Sequence, residues 1–117
     1  NYKNLIHLDL SQNMFYKIEN GLLFSSVINL EFLNMSFNQI FFLNSSIFHS
    51  TIRLKNLDLS VNKLENLSID LFKNLFKLEK LYLNQNLLKK INKNLFKDLH
   101  SLIELNLNEN QIDIVEE

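Results

Sequence analysis

The stretch LKNLDLSVNKLENL, residues 54–67, decides the fold because its apolar spacing fits neither a regular helix nor a regular strand. Its leucines are separated by 3, 2, 5 and 3 positions. A helix places apolar residues 3 or 4 apart, and a half-buried strand places them 2 apart. The pair Leu57 and Leu59 therefore predicts a very short strand, and Asn62 falls where the chain turns away from it.

The same phrase recurs along the whole chain. Each copy follows the pattern L-x-x-L-x-L-x-x-N-x-L, with Met, Phe or Ile in place of some leucines. Its asparagines are 25, 24, 24 and 24 residues apart, and a column of phenylalanines keeps a 24-residue spacing. We therefore predict one domain over 1–117, built from about five repeats. The phrases are at 5–15, 30–40, 54–64, 78–88 and 102–112, and the two columns are Asn13, Asn38, Asn62, Asn86, Asn110 and Phe24, Phe48, Phe72, Phe96.

This phrase and its period resemble the leucine-rich repeat family, and the resemblance covers essentially the whole chain. The position of Phe72, five residues after Leu67, is similar to the typical 24-residue subclass. The wording LDLSxN at 8–13 and 57–62 is similar to Toll-like receptor ectodomain repeats. The resemblance implies an α/β solenoid: a horseshoe segment with a parallel β-sheet on its concave face and loops and short helical turns on its convex face. It also implies a protein–protein interaction module of the kind common in extracellular receptors.

The physical reasons for the phrase are clear from its spacing. In L-x-L, both leucines point to one face of a strand, which we expect to be the core. An asparagine amide both donates and accepts, so a column of asparagines can satisfy backbone groups left unpaired by the turns. The first repeat is one residue longer and contains the only glycine, Gly21, which we expect to occupy a turn with an unusual φ. Terminal coils of a solenoid need caps, and we expect this chain to be a segment of a longer array.

Composition excludes several classes of function. The charge is nearly balanced, with 12 Lys plus Arg against 13 Asp plus Glu, so we expect no nucleic-acid partner. There is no Cys, no apolar run long enough to cross a bilayer, and no Gly-rich phosphate loop, so we expect no cofactor. The one local excess is the Lys-rich stretch 73–97, which predicts either a site for an anionic glycan or a solvated convex face.

Residues between the leucines point out of the strands and need not serve the core, so they are the candidate binding residues. Phe32, Phe37, Val61 and Tyr82 are apolar where water is expected, which is typical of interface hot spots, although lateral packing could also explain them. A protein ligand or co-receptor on this concave face is the partner that the pattern favours. The predicted partner-binding residues are His7, Asp9, Phe32, Asn34, Phe37, Asn56, Asp58, Val61, Lys80, Tyr82 and Gln85.

Catalysis is not expected. His7, Asp9 and Ser11 share one strand face, but neighbouring Cα atoms on one face lie about 6.5–7 Å apart, which is not the nested arrangement of a catalytic triad. The three histidines fall in different repeats and have no metal-ligand spacing. We therefore predict a non-enzymatic binding module without a metal.

The location of the chain has two interpretations. The subclass resemblance favours an extracellular or cell-surface receptor, whereas an intracellular scaffold for signalling proteins would use the same repeats. Three sequons for N-glycosylation are compatible with the first, and a glycan on Asn34 would exclude a partner from that part of the concave face. The sequons begin at Asn34, Asn44 and Asn66.

Overall fold

The structure, a computed structural model, describes residues 2–116 as a solenoid of about five turns measuring 43 × 31 × 22 Å. Its strands are two or three residues long, because the chain turns soon after each strand begins. A 3₁₀ helix at Tyr2–Asn4 precedes them. The strands are β1 His7–Asp9, β2 Lys17–Ile18, β3 Phe32–Asn34, β4 Phe42–Leu43, β5 Asn56–Asp58, β6 Lys80–Tyr82, β7 Lys90–Asn92, β8 Glu104–Asn106 and β9 Ile114–Glu116.

The main sheet is parallel and has one strand from each coil. Its order is β1-β3-β5-β6-β8, which is simply the order of the repeats. The register pairs the same position of the phrase in every coil, so the central leucine of each strand lies beside that of its neighbours. The predicted parallel sheet is confirmed, and each repeat contributes one rung.

The leucines of the phrase form the core. Leu33, Leu57 and Leu81 are at most 2% exposed in the middle of their strands, and Leu59 and Leu83 are fully buried. Burying a leucine side chain contributes roughly 1.5–3 kcal/mol, so this column is a main source of stability. Leu105 in the last coil is 37% exposed, because within the described residues it has a neighbouring coil on one side only.

The asparagines form the predicted ladder between coils. Asn62 Nδ2 donates to the carbonyl of Met35 in the preceding coil at 3.0 Å and to those of Leu59 and Ser60 at 3.1 Å. Asn62 Oδ1 accepts from the backbone N–H of Ile40, again in the preceding coil, at 3.0 Å. One side chain thus bonds to four backbone groups of two coils, and it supplies the acceptor for the buried Ile40 N–H.

The phenylalanines form a second column inside the convex half. Phe24, Phe48, Phe72 and Phe96 are stacked one above another with ring centroids 6.2–6.4 Å apart. Phe48 and Phe72 are at most 1% exposed. The 24-residue spacing of the phenylalanines in the sequence therefore corresponds to one coil of the solenoid.

The convex face consists of short turns, in agreement with the predicted loops and short helical turns. Within residues 2–116 the single helix is the 3₁₀ turn at the start, and the convex segments are successive turns. In the third coil they are closed by bonds from Leu71 N to Ser68 O and from Leu75 N to Phe72 O. The coil needs only a few residues to return to the sheet, so a continuous helix has no room to develop.

Two short parallel pairs run along one flank of the coils. β2 pairs with β4, and β7 pairs with β9. Ile18, Leu43 and Ile91 point inward from these strands and are buried. The neighbouring side chains point outward and form the flank surface.

Gly21 corrects one expectation. Its φ is not positive, so an unusual backbone conformation does not explain it. A Cβ built on Gly21 would lie 2.7 Å from Asn44 Oδ1 and 3.1 Å from Ser46 Cβ. A larger residue at position 21 would require the Asn44 and Ser46 side chains of the next coil to shift, and glycine avoids this.

Candidate functional site

The register places the outward residues of the strands in two straight rows on the concave face. The first row is His7, Phe32, Asn56, Lys80 and Glu104. The second row is Asp9, Asn34, Asp58, Tyr82 and Asn106. Residues far apart in sequence are therefore adjacent on one surface, as the repeat predicted; their role in binding stays a prediction.

A hollow of about 230 Å³ lies on this face over strands β1, β3, β5 and β6. Its walls combine aromatic rings, carboxylates and amides, a mixture that suits recognition of a partly polar group. Seven of the predicted residues line it together with two core leucines. They are His7, Asp9, Phe32, Asn34, Asn56, Asp58 and Tyr82, and we call them the concave pocket.

One wall of the concave pocket is a stacked pair of rings. The ring centroids of His7 and Phe32 lie 4.2 Å apart, and the angle between the two ring planes is 6°. This contact leaves Phe32 half-buried rather than fully exposed. Each ring restricts the motion of the other, so the stack gives this wall of the pocket a fixed shape.

The second row also has a structural duty that the sequence did not reveal. The side-chain oxygens of Asp9, Asn34, Asp58 and Asn106 each accept the backbone N–H of the residue two positions later, at 2.9 Å. This is the turn in which a short Asp or Asn side chain replaces a backbone acceptor. The turn ends the strand and starts the bend toward the asparagine ladder.

The serines two positions after the second-row residues belong to the same turn. Ser36 and Ser60 are 4% and 6% exposed, not turned to the concave solvent. Their hydroxyls donate to Asn34 Oδ1 at 2.7 Å and to Asp58 Oδ1 at 2.6 Å. In the first coil, hydrogen bonds from the hydroxyl and N–H of Ser11 lower the pKa of Asp9, which keeps this carboxylate ionised.

Tyr82 breaks this rule. It stands where the other four coils have Asp or Asn, and a tyrosine cannot make the turn bond. Its hydroxyl instead donates to Glu104 Oε2 at 3.0 Å. Partial burial and this bond to Glu104 raise the pKa of the Tyr82 phenol above its ordinary value. The fold would be served by Asp or Asn, so the tyrosine requires another explanation.

Three predicted residues, Phe37, Val61 and Gln85, lie outside the pocket. They occupy the turn after their strands, and each has a positive φ of 53–56°. Gly and Asn tolerate this left-handed conformation best, and a β-branched residue such as Val61 is strained by it. Gln12 and Glu109 have the same conformation in the first and last coils, so the fold imposes it at every repeat.

Lys80 lies on the same strand as Tyr82, beside the pocket, and the other lysines of 73–97 are scattered. Lys73, Lys77 and Lys97 lie in the convex turns, whereas Lys90 is on the flank in β7, 3.7 Å from Glu116. Apart from half-buried Lys80 they are exposed. Because they surround the coil and do not converge on one face, this arrangement gives no support to an anionic-glycan site.

Two arrangements weighed from the sequence, a triad at His7, Asp9 and Ser11 and a metal-binding cluster, are not formed within residues 2–116. His7 stacks on Phe32 and has no hydrogen bond there to Asp9 or Ser11. No cluster of three His, Cys, Asp or Glu in the described residues could hold a metal ion. No helix of that same part of the chain is long and apolar enough to cross a bilayer.

Sequence reasoning missed three features of the surface. Glu104 fixes the Tyr82 hydroxyl, and Asn56 Oδ1 is buried without a hydrogen-bond partner. Phe41 and Phe42 are 50% and 42% exposed on the flank, outside the concave face. Comparing the flank positions between repeats would have found the last pair, because the next two coils have Glu, Asn and Lys there.

Comparisons with known proteins agree with this architecture. Sequence models described as leucine rich repeat match residues 52–112 and 29–51. The leucine-rich repeat domain of APL1B is similar with a TM-score of 0.84 and 27% identity, covering 88% of this chain and 30% of that one. Toll, in the Toll–Spatzle complex of Drosophila, gives a TM-score of 0.91 and 27% identity, covering 96% of this chain and 15% of that one. No curated protein sequence matches the chain.

These matches extend over most of the chain but over less than a third of either structure. The 24-residue spacing fits the typical subclass. Domains of this fold are typically interaction modules and not enzymes. The family match to more than half of the residues and the observed solenoid lead to one conclusion: this chain belongs to the leucine-rich repeat family.

Proposed function

We propose that this chain binds a protein partner through the concave pocket, as part of an extracellular or cell-surface receptor. The observation that carries the proposal is Tyr82. Every other coil uses Asp or Asn at that position to close the strand-ending turn, and only here is that bond given up for a large aromatic ring. Tyrosine is enriched among residues that dominate binding energy.

The chemistry of the pocket favours a basic side chain of the partner. Asp9 and Asp58 supply carboxylates, and the ring of Phe32, which has one face stacked on His7, lines the same pocket. A guanidinium or ammonium group can be held by carboxylates and by the face of an aromatic ring together.

The receptor context is supported by the partner of one similar protein. Toll was solved in complex with Spatzle, a protein, and Toll and this chain are alike over 96% of this chain. Because the chain spans 15% and 30% of the two similar structures, we also propose that its domain belongs to a longer array. An intracellular scaffold is the alternative, and it would place the same pocket in the cytoplasm.

The test uses the full-length protein and matched variants. We would capture binding proteins from the source tissue with wild type, Phe32→Ala, Tyr82→Ala and the control Phe76→Ala, and then measure the Kd of the purified candidate. Phe76 is 46% exposed on the convex side, so its loss removes an aromatic ring but leaves the concave face unchanged. We expect at least a 10-fold rise in Kd for the two concave variants and none for the control. Equal affinity of all four proteins would overturn the proposal.

Location is tested separately by following the full-length protein in its own cells. Processing of a leader and release to the surface are expected for a receptor. A protein that stays cytoplasmic but keeps the Tyr82-dependent partner would support the scaffold alternative.

A further inference from the structure

A second surface feature lies on the flank of the second and third coils. It is a groove of about 660 Å³ whose lining includes Phe41 and Phe42 on one side and Glu65, Asn66 and Ser68 on the other. We call it the flank groove. The repeat itself does not require aromatic rings there, since the third and fourth coils have polar or charged residues at the positions of Phe41 and Phe42.

The two rings are held in place by the preceding coil. Tyr16 stacks on Phe41 with centroids 6.4 Å apart, and Lys17 Nζ lies 6.0 Å from the centroid of Phe42. Their register follows from the pairing of β2 with β4. About half of each ring nevertheless stays exposed, so both rings are accessible to a group that lies in the groove.

The side chains of the three sequons differ in their hydrogen bonds and in their exposure. The Asn34 oxygen is bonded to Ser36, and that serine hydroxyl, which the sequon needs, is buried. Asn44 Nδ2 donates to the Glu19 carbonyl at 2.9 Å, and its Oδ1 accepts from Ser46 N and packs over Gly21. The amides of Asn34 and Asn44 are therefore both engaged in the fold.

Asn66 differs from both. Its residue is exposed, and its side chain makes no hydrogen bond to any described residue. The hydroxyl-bearing partner of the sequon, Ser68, is exposed as well. Both residues line the flank groove, so a group attached to Asn66 begins inside it.

We infer that Asn66 carries an N-linked glycan whose first sugars lie in the flank groove against Phe41 and Phe42. This rests on the proposed extracellular location, since the donor is a lipid-diphosphate-linked oligosaccharide of the secretory pathway. Asn66 Nδ2 forms a bond to the anomeric carbon, the bond from that carbon to the lipid diphosphate breaks, and the transferase takes the amide proton.

The groove suits such a ligand on chemical grounds. A pyranose ring has an apolar C–H face, which can bury area on the two phenyl rings, and a polar rim. Glu65 and Ser45 on the groove wall can hydrogen-bond that rim. A volume of this size lies within the range of small-ligand sites, so it can hold the first one or two sugars.

The first experiment measures occupancy. The full-length protein is expressed in secreting eukaryotic cells, once with its own leader and once with an added one, and glycopeptides are analysed by mass spectrometry. We expect Asn66 to be the most occupied of the three sequons, and Asn66→Gln to remove that glycan. Secreted protein with an unoccupied Asn66 would overturn the inference and leave the proposed function standing.

The added leader keeps the two questions apart. A full-length protein that enters the pathway only with the added leader would contradict the extracellular location, while its Asn66 occupancy would still decide whether the site is competent. An unoccupied Asn66 in that protein overturns the inference too.

The second experiment tests whether the glycan packs on the rings. Removing the glycan with Asn66→Gln should lower Tm by about 2 °C in the wild-type background. In the Phe41→Ser and Phe42→Ser double variant the same removal should change nothing. The matched control, Phe76→Ser, should keep the full shift. An occupied Asn66 with the same Tm shift in all three backgrounds would overturn the packing in the groove.

Discussion

The inner and outer columns of this solenoid obey different rules. Inside, the same residue type recurs in nearly every coil: leucine in the strands, asparagine in the turns and phenylalanine in the convex half. Outside, the concave positions change from coil to coil, as in the row from His7 to Glu104. The inner columns repeat because each coil must fit the next, whereas the outer columns are available for recognition.

The largest loss of stability should come from a substitution in the inner column of phenylalanines. Phe72 is stacked between Phe48 and Phe96 and is 1% exposed. Phe72→Ala should lower the free energy of unfolding by about 4 kcal/mol, through lost burial and the cavity that remains. Urea unfolding measures this loss. Phe76→Ala, four residues away but exposed, is the control, and an equal loss for both would contradict the inner and outer assignment.

A substitution in the asparagine ladder should cause the second-largest loss of stability. Asn62→Ala removes the acceptor of the buried Ile40 N–H and one of the two amide donors to each of the Met35 and Leu59 carbonyls. We expect a loss of about 3 kcal/mol in unfolding free energy. Asn13 holds the same place in the first coil but is exposed, so Asn13→Ala should cost much less. Equal losses would mean that the ladder does not depend on burial.

The left-handed turn allows a gain in stability. Val61 has a φ of 53°, which is unfavourable for a β-branched residue. Val61→Asn should therefore raise the free energy of unfolding by about 1 kcal/mol, and Val61→Ile, which keeps the branch, should not. Loss of stability in Val61→Asn would show that the valine side chain packs into the core and is not free for other uses.

The smallest effect concerns Tyr82. Partial burial and the bond to Glu104 raise its pKa in the folded protein above the ordinary value of 10.0. The folded state then keeps the phenol proton to higher pH than the unfolded state does, so this stabilisation is complete below pH 10.0 and decreases as the pH rises through the folded pKa. A spectrophotometric titration of wild type against Tyr82→Phe isolates the phenol. A midpoint at or below the ordinary value would contradict the observed environment.

Much of the fold was predictable because the inner columns are redundant. Five copies of one phrase fix the strand positions, the register and the ladder, and one substitution such as Met35 for Leu does not obscure them. The convex turns were predicted from the family resemblance, because the spacing of their residues fits a helix as well as a series of turns. Gly21 was misread because its neighbour Asn44 belongs to the next coil and is 23 positions away.

The candidate site was only partly predictable, because the repeat gives the position of each residue but not the contacts of its side chain. The two concave rows follow from the period, but a side chain's local hydrogen bonds do not. Asp58 and Ser60 look like free polar residues in the sequence, yet they bind each other to end a strand. Tyr82 became informative only when the turn made by the other coils was visible.

The most direct test of the account compares two neighbours in one strand. Leu33 is 2% exposed and faces the core, whereas Phe32 faces the concave pocket and packs on His7. Urea unfolding of Leu33→Ala should show a loss of roughly 2–5 kcal/mol, and that of Phe32→Ala a loss near 1 kcal/mol. Equal losses would contradict the central claim, because they would mean that the concave row holds the fold together instead of serving recognition.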